Sequence, residues 1–363
     1  MCARPKSLPS QLTIANELGC SQSLVSKVLN SQHVGIPDET IQRIWAHAKA
    51  SNYRPRGINL DRFVAETVAT RMVGFVLRSP LRLITEGPIF LHAHQGMHEY
   101  LLKRNIRTVY LGAEDELEAS ELARSVDRQK LVEGLAVMGE VKPAFMAGLA
   151  SCRKPVVLVS ARYPGVCHSV TSNLGQAASL LVEHLAGLGH RRFAWIGSRH
   201  GLGKMLHHKE AVLRCLASRN LQMAEGNVLD MPEADRRNGY AAARQIYESG
   251  RDLLPTAFIC HNALLARGAI NHLFQRGFSV PRAVSVVAMD LTHVRLEEPP
   301  EITGAAAPPE ALGDEAARLI LSRAGSEDRT VCEMTLPSRL DVRETTGRTS
   351  SAFVTAIRRA DCA

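Results

Sequence analysis

From Met72 onward, short apolar runs alternate with longer amphipathic segments, and this alternation leaves very few architectures open to the chain. The runs are Val73–Leu77, Thr108–Leu111, Ala144–Met146, Val156–Val159, Phe193–Ile196, Ala257–Cys260 and Val284–Ala288. Between them lie segments with a helical period, such as Gly175–Gly187, Lys209–Ser218, Gly239–Ser249 and Leu264–Gly277. Strand–helix alternation predicts parallel sheets covered by helices on both faces. Its length predicts two such subdomains, with the chain crossing between them.

Before Met72 the period is different. Ser10 is placed to cap a helix in which Ile14, Ala15 and Leu18 share one face. Gly19 is a natural stop, and Ser21 caps a second helix two residues later, Gln22 to Leu29. A turn this tight between two short helices is the spacing of a helix-turn-helix. On the second helix Val25, Val28 and Leu29 point inward, while Gln22, Ser23, Ser26 and Lys27 form a polar face without an acid. Amide, hydroxyl and ammonium groups on one such face suit a helix that reads the DNA major groove. Pro37 opens a third helix with Asp38 and Glu39 at its positive end. Ile41, Ile44 and Ala48 supply its buried stripe, and Tyr53 closes the unit.

Composition sets the outer limits. A chain of 363 residues exceeds one ordinary core, and 45% hydrophobic with 22% charged residues excludes disorder as its main state. The eight cysteines (Cys2, Cys20, Cys152, Cys167, Cys215, Cys260, Cys332 and Cys362) are scattered, without metal spacing, and reduced thiols are expected. The net charge is +8, and up to Gly57 seven Lys/Arg (Arg4, Lys6, Lys27, Arg43, Lys49, Arg54, Arg56) face three acids (Glu17, Asp38, Glu39). Half the surplus therefore sits on the helical head, which suits a polyanionic partner. No apolar run reaches membrane-spanning length and the start carries no apolar signal region, so no membrane contact and a cytoplasmic, nucleoid-associated place in a bacterium are expected.

The run from Ser10 to Asn30 resembles the head of the lactose-repressor (LacI/GalR) family of bacterial regulators, and its stretch GCSQSLVSKVLN fits the pattern G-[VC]-S-x-x-[TL]-V-S-[RK]-V-L-N. Ile36–Ile44 and Asn52–Pro55 continue the likeness. The body resembles the family's type I periplasmic-binding-protein core over Val182–Gly197, Val280–Asp290, Leu312–Leu319 and Leu336–Thr345. The fold implied is α/β: an all-α helix-turn-helix head plus a core of two parallel-sheet α/β subdomains. The boundaries expected are 8–55 for the head, 56–71 for a hinge, 72–345 for the core and 346–363 for a tail. Within the core the first subdomain would hold about 72–170 and 292–322, the second about 171–291 and 323–345.

The resemblance implies a transcription regulator, by the family's common mode a repressor, acting as a homodimer on a double-stranded operator. A small effector, a sugar or sugar derivative, would bind between the core subdomains and alter the spacing of the heads. By position, Gln22, Ser23 and Lys27 would address bases, while Ser21, Ser26 and Asn30 would meet phosphates; Tyr53 and Arg56 complete the DNA-binding set. Lys27 stands where Arg is usual, and cannot make the same two-pronged contact with guanine. The hinge pattern Asn-x-x-Ala-x-x-Leu reads Arg56, Asn59 and Arg62 here, with Gly57 weakening a helix; Ile58 or Leu60 is left as a minor-groove wedge. The effector set implied is Ser79, Ser160, Asn173, His208, Asn262 and Asp290. His208 replaces a usual Arg, Asn173 a usual Asp, Ala177 a usual Gly and Ala263 another Asp, which leaves room for a different or less charged ligand, or for loss of effector response altogether. The bland reading of Asn262 is a cap at a strand end.

Three other signals stand in the sequence. His94 and His98 stand one helical turn apart near His92, but no third metal ligand is evident and no metal is expected. Gly197–Lys204 misses the phosphate-loop spacing by one position and reads as a strand-to-helix loop at the pocket mouth. With no Gly-x-Ser-x-Gly and no cysteine–histidine pair, neither an enzyme nor a cofactor is expected. The competing function is a sugar-binding protein with the same core and no specific DNA role.

Overall fold

The computed structural model describes residues 10–29, 36–51, 70–78, 88–199, 204–248 and 254–349. The chain divides into two units, Met1–Glu66 and Thr67–Ala363.

In the first unit, α1 (Gln11–Leu18), α2 (Gln22–Leu29) and α3 (Asp38–Ala50) have local causes for their ends. Ser10 Oγ accepts the Thr13 amide at 3.1 Å, and Thr13 Oγ1 accepts the Ser10 amide at 3.3 Å. Gly19 ends α1 at φ +64°, a conformation that costs a residue with Cβ but not glycine. Ser21 Oγ accepts the Leu24 amide at 3.1 Å and starts α2. Ile14, Ala15, Val25, Val28, Leu29, Ile44 and Ala48 are buried together. His47 Nε2 meets Glu17 Oε2 at 2.7 Å, joining α3 to α1.

The second unit has two lobes. In the first are β1 (Met72–Leu77), α4 (Pro88–Leu102), β2 (Arg107–Ala113), α5 (Ala119–Arg128), β3 (Val132–Met138), α6 (Pro143–Leu149), β4 (Val156–Val159) and β5 (His168–Ser172). There follow α7 (Leu174–Gly187), β6 (Phe193–Ser198), α8 (Lys204–Ala217), β7 (Val228–Met231), α9 (Arg236–Glu248), β8 (Ala257–Cys260), α10 (Ala263–Gln275) and β9 (Ser285–Ala288). The chain ends with β10 (Thr303–Ala306), α11 (Pro309–Arg323), β11 (Glu333–Leu336) and β12 (Arg339–Asp341). One sheet runs β11-β5-β4-β3-β1-β2 and is parallel throughout; the other runs β12-β10-β9-β8-β6-β7, with only β12 antiparallel.

Three expectations are corrected. Ala144–Met146 is part of helix α6, not a strand: Pro143 sits at its first turn, and Phe145, Met146 and Leu149 bury one helical face. β10, within the 292–322 segment assigned to the first subdomain, belongs to the second sheet. β11, within the 323–345 segment assigned to the second, pairs with β5 in the first. The lobes exchange strands three times, and hydrophobic runs carry no mark of which sheet they join.

Each lobe is clamped by one pair of helices in backbone contact. Gly96 of α4 and Gly313 of α11 face each other's helix so closely that a Cβ on either would collide with the backbone at Glu310 or Ala93. Gly239 of α9 and Gly268 of α10 repeat the device against Leu265 and Arg236. The lobes are tied where the chain crosses. Ser172 Oγ meets Ser338 Oγ at 3.0 Å and accepts the Ala307 amide at 2.9 Å. The Ser338 hydroxyl also donates to the Asn173 carbonyl at 2.8 Å. All three crossings therefore share one hydrogen-bonded knot.

His190 anchors the chain's return to the second sheet. Its ring meets Thr256 Oγ1 at 3.0 Å, Ser285 Oγ at 2.9 Å and the Gly347 carbonyl at 3.1 Å. Burial pushes its pKa down to about 4. Burial also lowers His168, His184 and His272. A depressed histidine pKa means that the unfolded chain binds more protons, so stability is intact above about 6.5 and is lost as pH falls towards 4. For His190 the loss reaches about 3 kcal/mol when complete. We expect the melting temperature to drop steadily from pH 6.5 to 4.5, with a shallower slope for His190→Gln. A wild-type melting temperature that stays level across that range would contradict this.

Candidate functional site

Two surfaces bring polar side chains together, one in each unit. On the first, the core of three helices fixes which way α2 turns. Val25, Val28 and Leu29 are buried, while Ser21, Gln22, Ser23 and Lys27 are exposed and Ser26 is half-buried. The exposed face carries one cation, hydroxyls and an amide, and no carboxylate. Ser21 is also the cap of its helix, so its hydroxyl oxygen already accepts a backbone amide. Asn30, Tyr53, Arg56 and positions 56–69 of the hinge lie outside the described residues, as does Ser79 of the effector set.

The second surface is a cleft of about 790 Å³ between the lobes, at the carboxyl ends of both parallel sheets. Ser160, Asn173, His208, Asn262 and Asp290 all line it. Ser160 ends β4 at φ +63°. Asn173 caps α7 by accepting the Gln176 amide at 3.0 Å. Asn262 caps α10, accepting the Leu265 amide at 2.9 Å and donating to the Ala234 carbonyl at 2.9 Å. Asp290 accepts from the Ala263 amide at 3.0 Å, the Thr292 amide at 2.6 Å and the Thr292 hydroxyl at 3.0 Å. Asn262 and Asp290 thus hold the loops at the ends of β8 and β9, and the bland reading of Asn262 describes its present bonds. Buried His208 on α8 packs edge-on against His261, with ring centroids 4.5 Å apart.

Sequence reasoning missed much of the lining. Arg78, Glu140, Arg162 and His261 each follow closely after a strand, and Glu233 follows β7. In a parallel sheet that position alone is a signal, because loops at the carboxyl ends build the crevice. Arg162 is ion-paired with Glu333. Phe90, Leu174, Met289 and Leu312 add apolar walls. Fixed hydroxyls, amides and carboxylates beside apolar surface can bind a compact polar molecule through several directional hydrogen bonds. The middle of the glycine-rich Gly197–Lys204 stretch lies outside the described residues, but α8, which it enters, lines the cleft through His207 and His208. His94 and His98 do not converge on a metal position: both rings meet Thr108 Oγ1, at 3.0 and 3.2 Å.

Residues 182–346 match the periplasmic binding protein-like domain family. The HTH-type transcriptional repressor PurR of Erwinia tasmaniensis is 24% identical over 318 residues, covering 86% of this chain and 90% of that protein. A LacI family transcriptional regulator from Enterococcus faecium, solved with bound ribose, has the same fold at a TM-score of 0.64 and 21% identity. That match covers 77% of this chain and 100% of the other. The transcriptional regulator CelR in complex with cellobiose matches at a TM-score of 0.63 and 22% identity, covering 93% of this chain and 99% of its own. With its capped helix-turn-helix unit and its two-lobed body, the chain is similar along most of its length to a repressor, and it shares the fold of LacI family regulators.

Proposed function

We propose that this protein is a sequence-specific DNA-binding transcription regulator, acting as a repressor, whose hold on its operator is set by a small hydroxylated ligand in the inter-lobe cleft. The observation that carries this reading is the acid-free, exposed face of α2, held in register by a buried three-helix core. Gln22, Ser23 and Lys27 would read base edges, and Ser21 and Ser26 would fix the register on phosphates. Asn30, Tyr53 and Arg56 extend that set. A homodimer would present two heads to a pseudo-palindromic site, inside the cell where that DNA is.

In the cleft, Asp290, Asn262 and Asn173 shape the site through the loops they hold, and Ser160, His208, Arg78 and Glu233 are the groups proposed to meet ligand. The ribose and cellobiose held by two proteins of this fold support a polyhydroxylated ligand. Lobe closure around it would favour one dimer geometry over another.

A mobility-shift titration of the purified protein on its own upstream region, against a scrambled duplex at several salt concentrations, tests the DNA half. A preference of about 1,000-fold or more for one duplex is expected. Equal binding to both would leave only a sugar-binding protein. A thermal-shift screen of sugars, sugar acids and nucleosides tests the sensor half: a ligand at a hundred times its Kd stabilises by about 2.7 kcal/mol. No stabilisation by any of them would remove the sensor half and leave the DNA half standing.

A further inference from the structure

His92, singled out in the sequence without a partner, finds two in the tertiary structure. It sits near the start of α4, and Glu310 lies in the first turn of α11, so both belong to the first lobe. His293 opens the short 3-10 turn His293–Leu296 after β9. That turn is fastened to the second lobe: Arg295 donates to Asp341 of β12 at 2.8 Å, and Arg267 of α10 donates to the Arg295 carbonyl at 3.3 Å. Ile89, Phe90, Leu291, Thr292 and Pro309, close neighbours of the three in sequence, line the cleft. The cluster therefore stands at the cleft's rim with ligands from both lobes.

We propose that His92, His293 and Glu310 bind a divalent transition-metal ion, zinc by preference, which straps the two lobes together at the mouth of the cleft. One ligand atom from each of the three residues lies within 4.8 Å of the others. His92 Nδ1 is 3.3 Å and His293 Nε2 is 3.4 Å from the same carboxylate oxygen, Glu310 Oε1. A direct N–H···O bond prefers about 2.7–3.2 Å. Ligand atoms about 2.1 Å from a tetrahedral zinc stand about 3.3–3.4 Å apart, which matches both distances. The two imidazoles are stacked, with centroids 4.5 Å apart and planes within 19°, so their nitrogens reach the carboxylate side by side. His293 is 67% exposed, which leaves open space for water as a fourth ligand. Two histidines and a glutamate are a familiar zinc-ligand set, and imidazole also suits nickel and cobalt.

The test is zinc chloride titrated calorimetrically into the full-length, chelator-stripped protein, with no DNA or effector present. One equivalent per chain is expected in the wild type. Loss of a partner outside the ligand shell costs about 10–100-fold in metal affinity, so His92→Ala and His293→Ala should each cost at least that. His98→Ala, which alters the neighbouring pair at Thr108, should change nothing. Zinc should also raise the melting temperature of the wild type and not that of His293→Ala; His293 is exposed, so this variant should melt like the wild type without metal. Substituted Co2+ should give the visible absorption of a four-coordinate site only where all three residues are present. Undiminished binding in both His92→Ala and His293→Ala, loss of binding in His98→Ala, or no heat of binding in the wild type would each overturn the site.

Discussion

Gly313→Ala is expected to unfold the protein or bring it close to unfolding, although it adds a single methyl group. The new Cβ would fall inside the Ala93 carbonyl and close to the Met97 amide. These are backbone atoms of α4, so no side chain can rotate away and the helices themselves must separate. That separation would open the core around Ala93, Met97, Leu312 and Ala316, all buried in one cluster. Overpacking usually costs about 1–3 kcal/mol where side chains can yield. Here we expect more than about 4 kcal/mol, against a total stability on the order of 5–15 kcal/mol. Gly187→Ala at the end of α7 makes the opposite case, because its Cβ would meet nothing within 4 Å. There alanine should stabilise by up to about 1 kcal/mol through the unfolded chain and helix propensity. Denaturant melts of the two variants and the wild type decide the matter. A Gly313→Ala protein as stable as the wild type would mean that α4 and α11 do not pack as described.

The second large effect is expected on the head. Gln22→Ala with Lys27→Ala should abolish the preference for the operator while leaving the fold intact, because both side chains are exposed and α2 is held by Val25, Val28 and Leu29. Loss of one good base contact costs about 1–3 kcal/mol of discrimination, so the double variant should lose between about 30-fold and about 25,000-fold if the two contacts add. The single variants separate the roles. If Lys27 reads a base, Lys27→Ala weakens the true site more than a scrambled one. If it touches phosphate instead, both weaken alike and the salt slope falls by about one. Mobility shifts at four salt concentrations, with circular dichroism to check folding, distinguish these outcomes. An unchanged selectivity in the double variant would remove α2 from the reading role.

The head was readable in the sequence because its signals are local. Ser10, Gly19 and Ser21 act on amides and dihedrals within three residues of themselves, and the stripe of Val25, Val28 and Leu29 follows from the helical period alone. Half of the body strands, β1, β2, β4, β6, β8 and β9, were readable too, because a strand buried on both faces is an unbroken apolar run. Ala144–Met146 marks where that rule fails, since three apolar residues fit one helical turn as well as one strand. β3, which pairs with β1 and β4 in the first sheet, was overlooked because Glu133 and Gly134 break up its opening.

The site divides along the same line. Five members of the effector set that fall among the described residues do surround one cleft, but their chemistry could not be read in advance. Asn262 and Asp290 look like ligand-binding groups in the sequence and spend their hydrogen bonds on loops in the fold. Arg78 and Glu233 belong to no motif in the sequence and line the cleft in the fold.

By itself, the sequence determined the capped helices of the head, the polar face of α2 and the α/β character of the body, since each depends on residues a few positions apart. Only the tertiary structure decided which lobe each late strand joins, which glycines carry the helix contacts, and that His92 meets His293 and Glu310. Those outcomes depend on which distant segments the crossings bring together, and no local propensity encodes that.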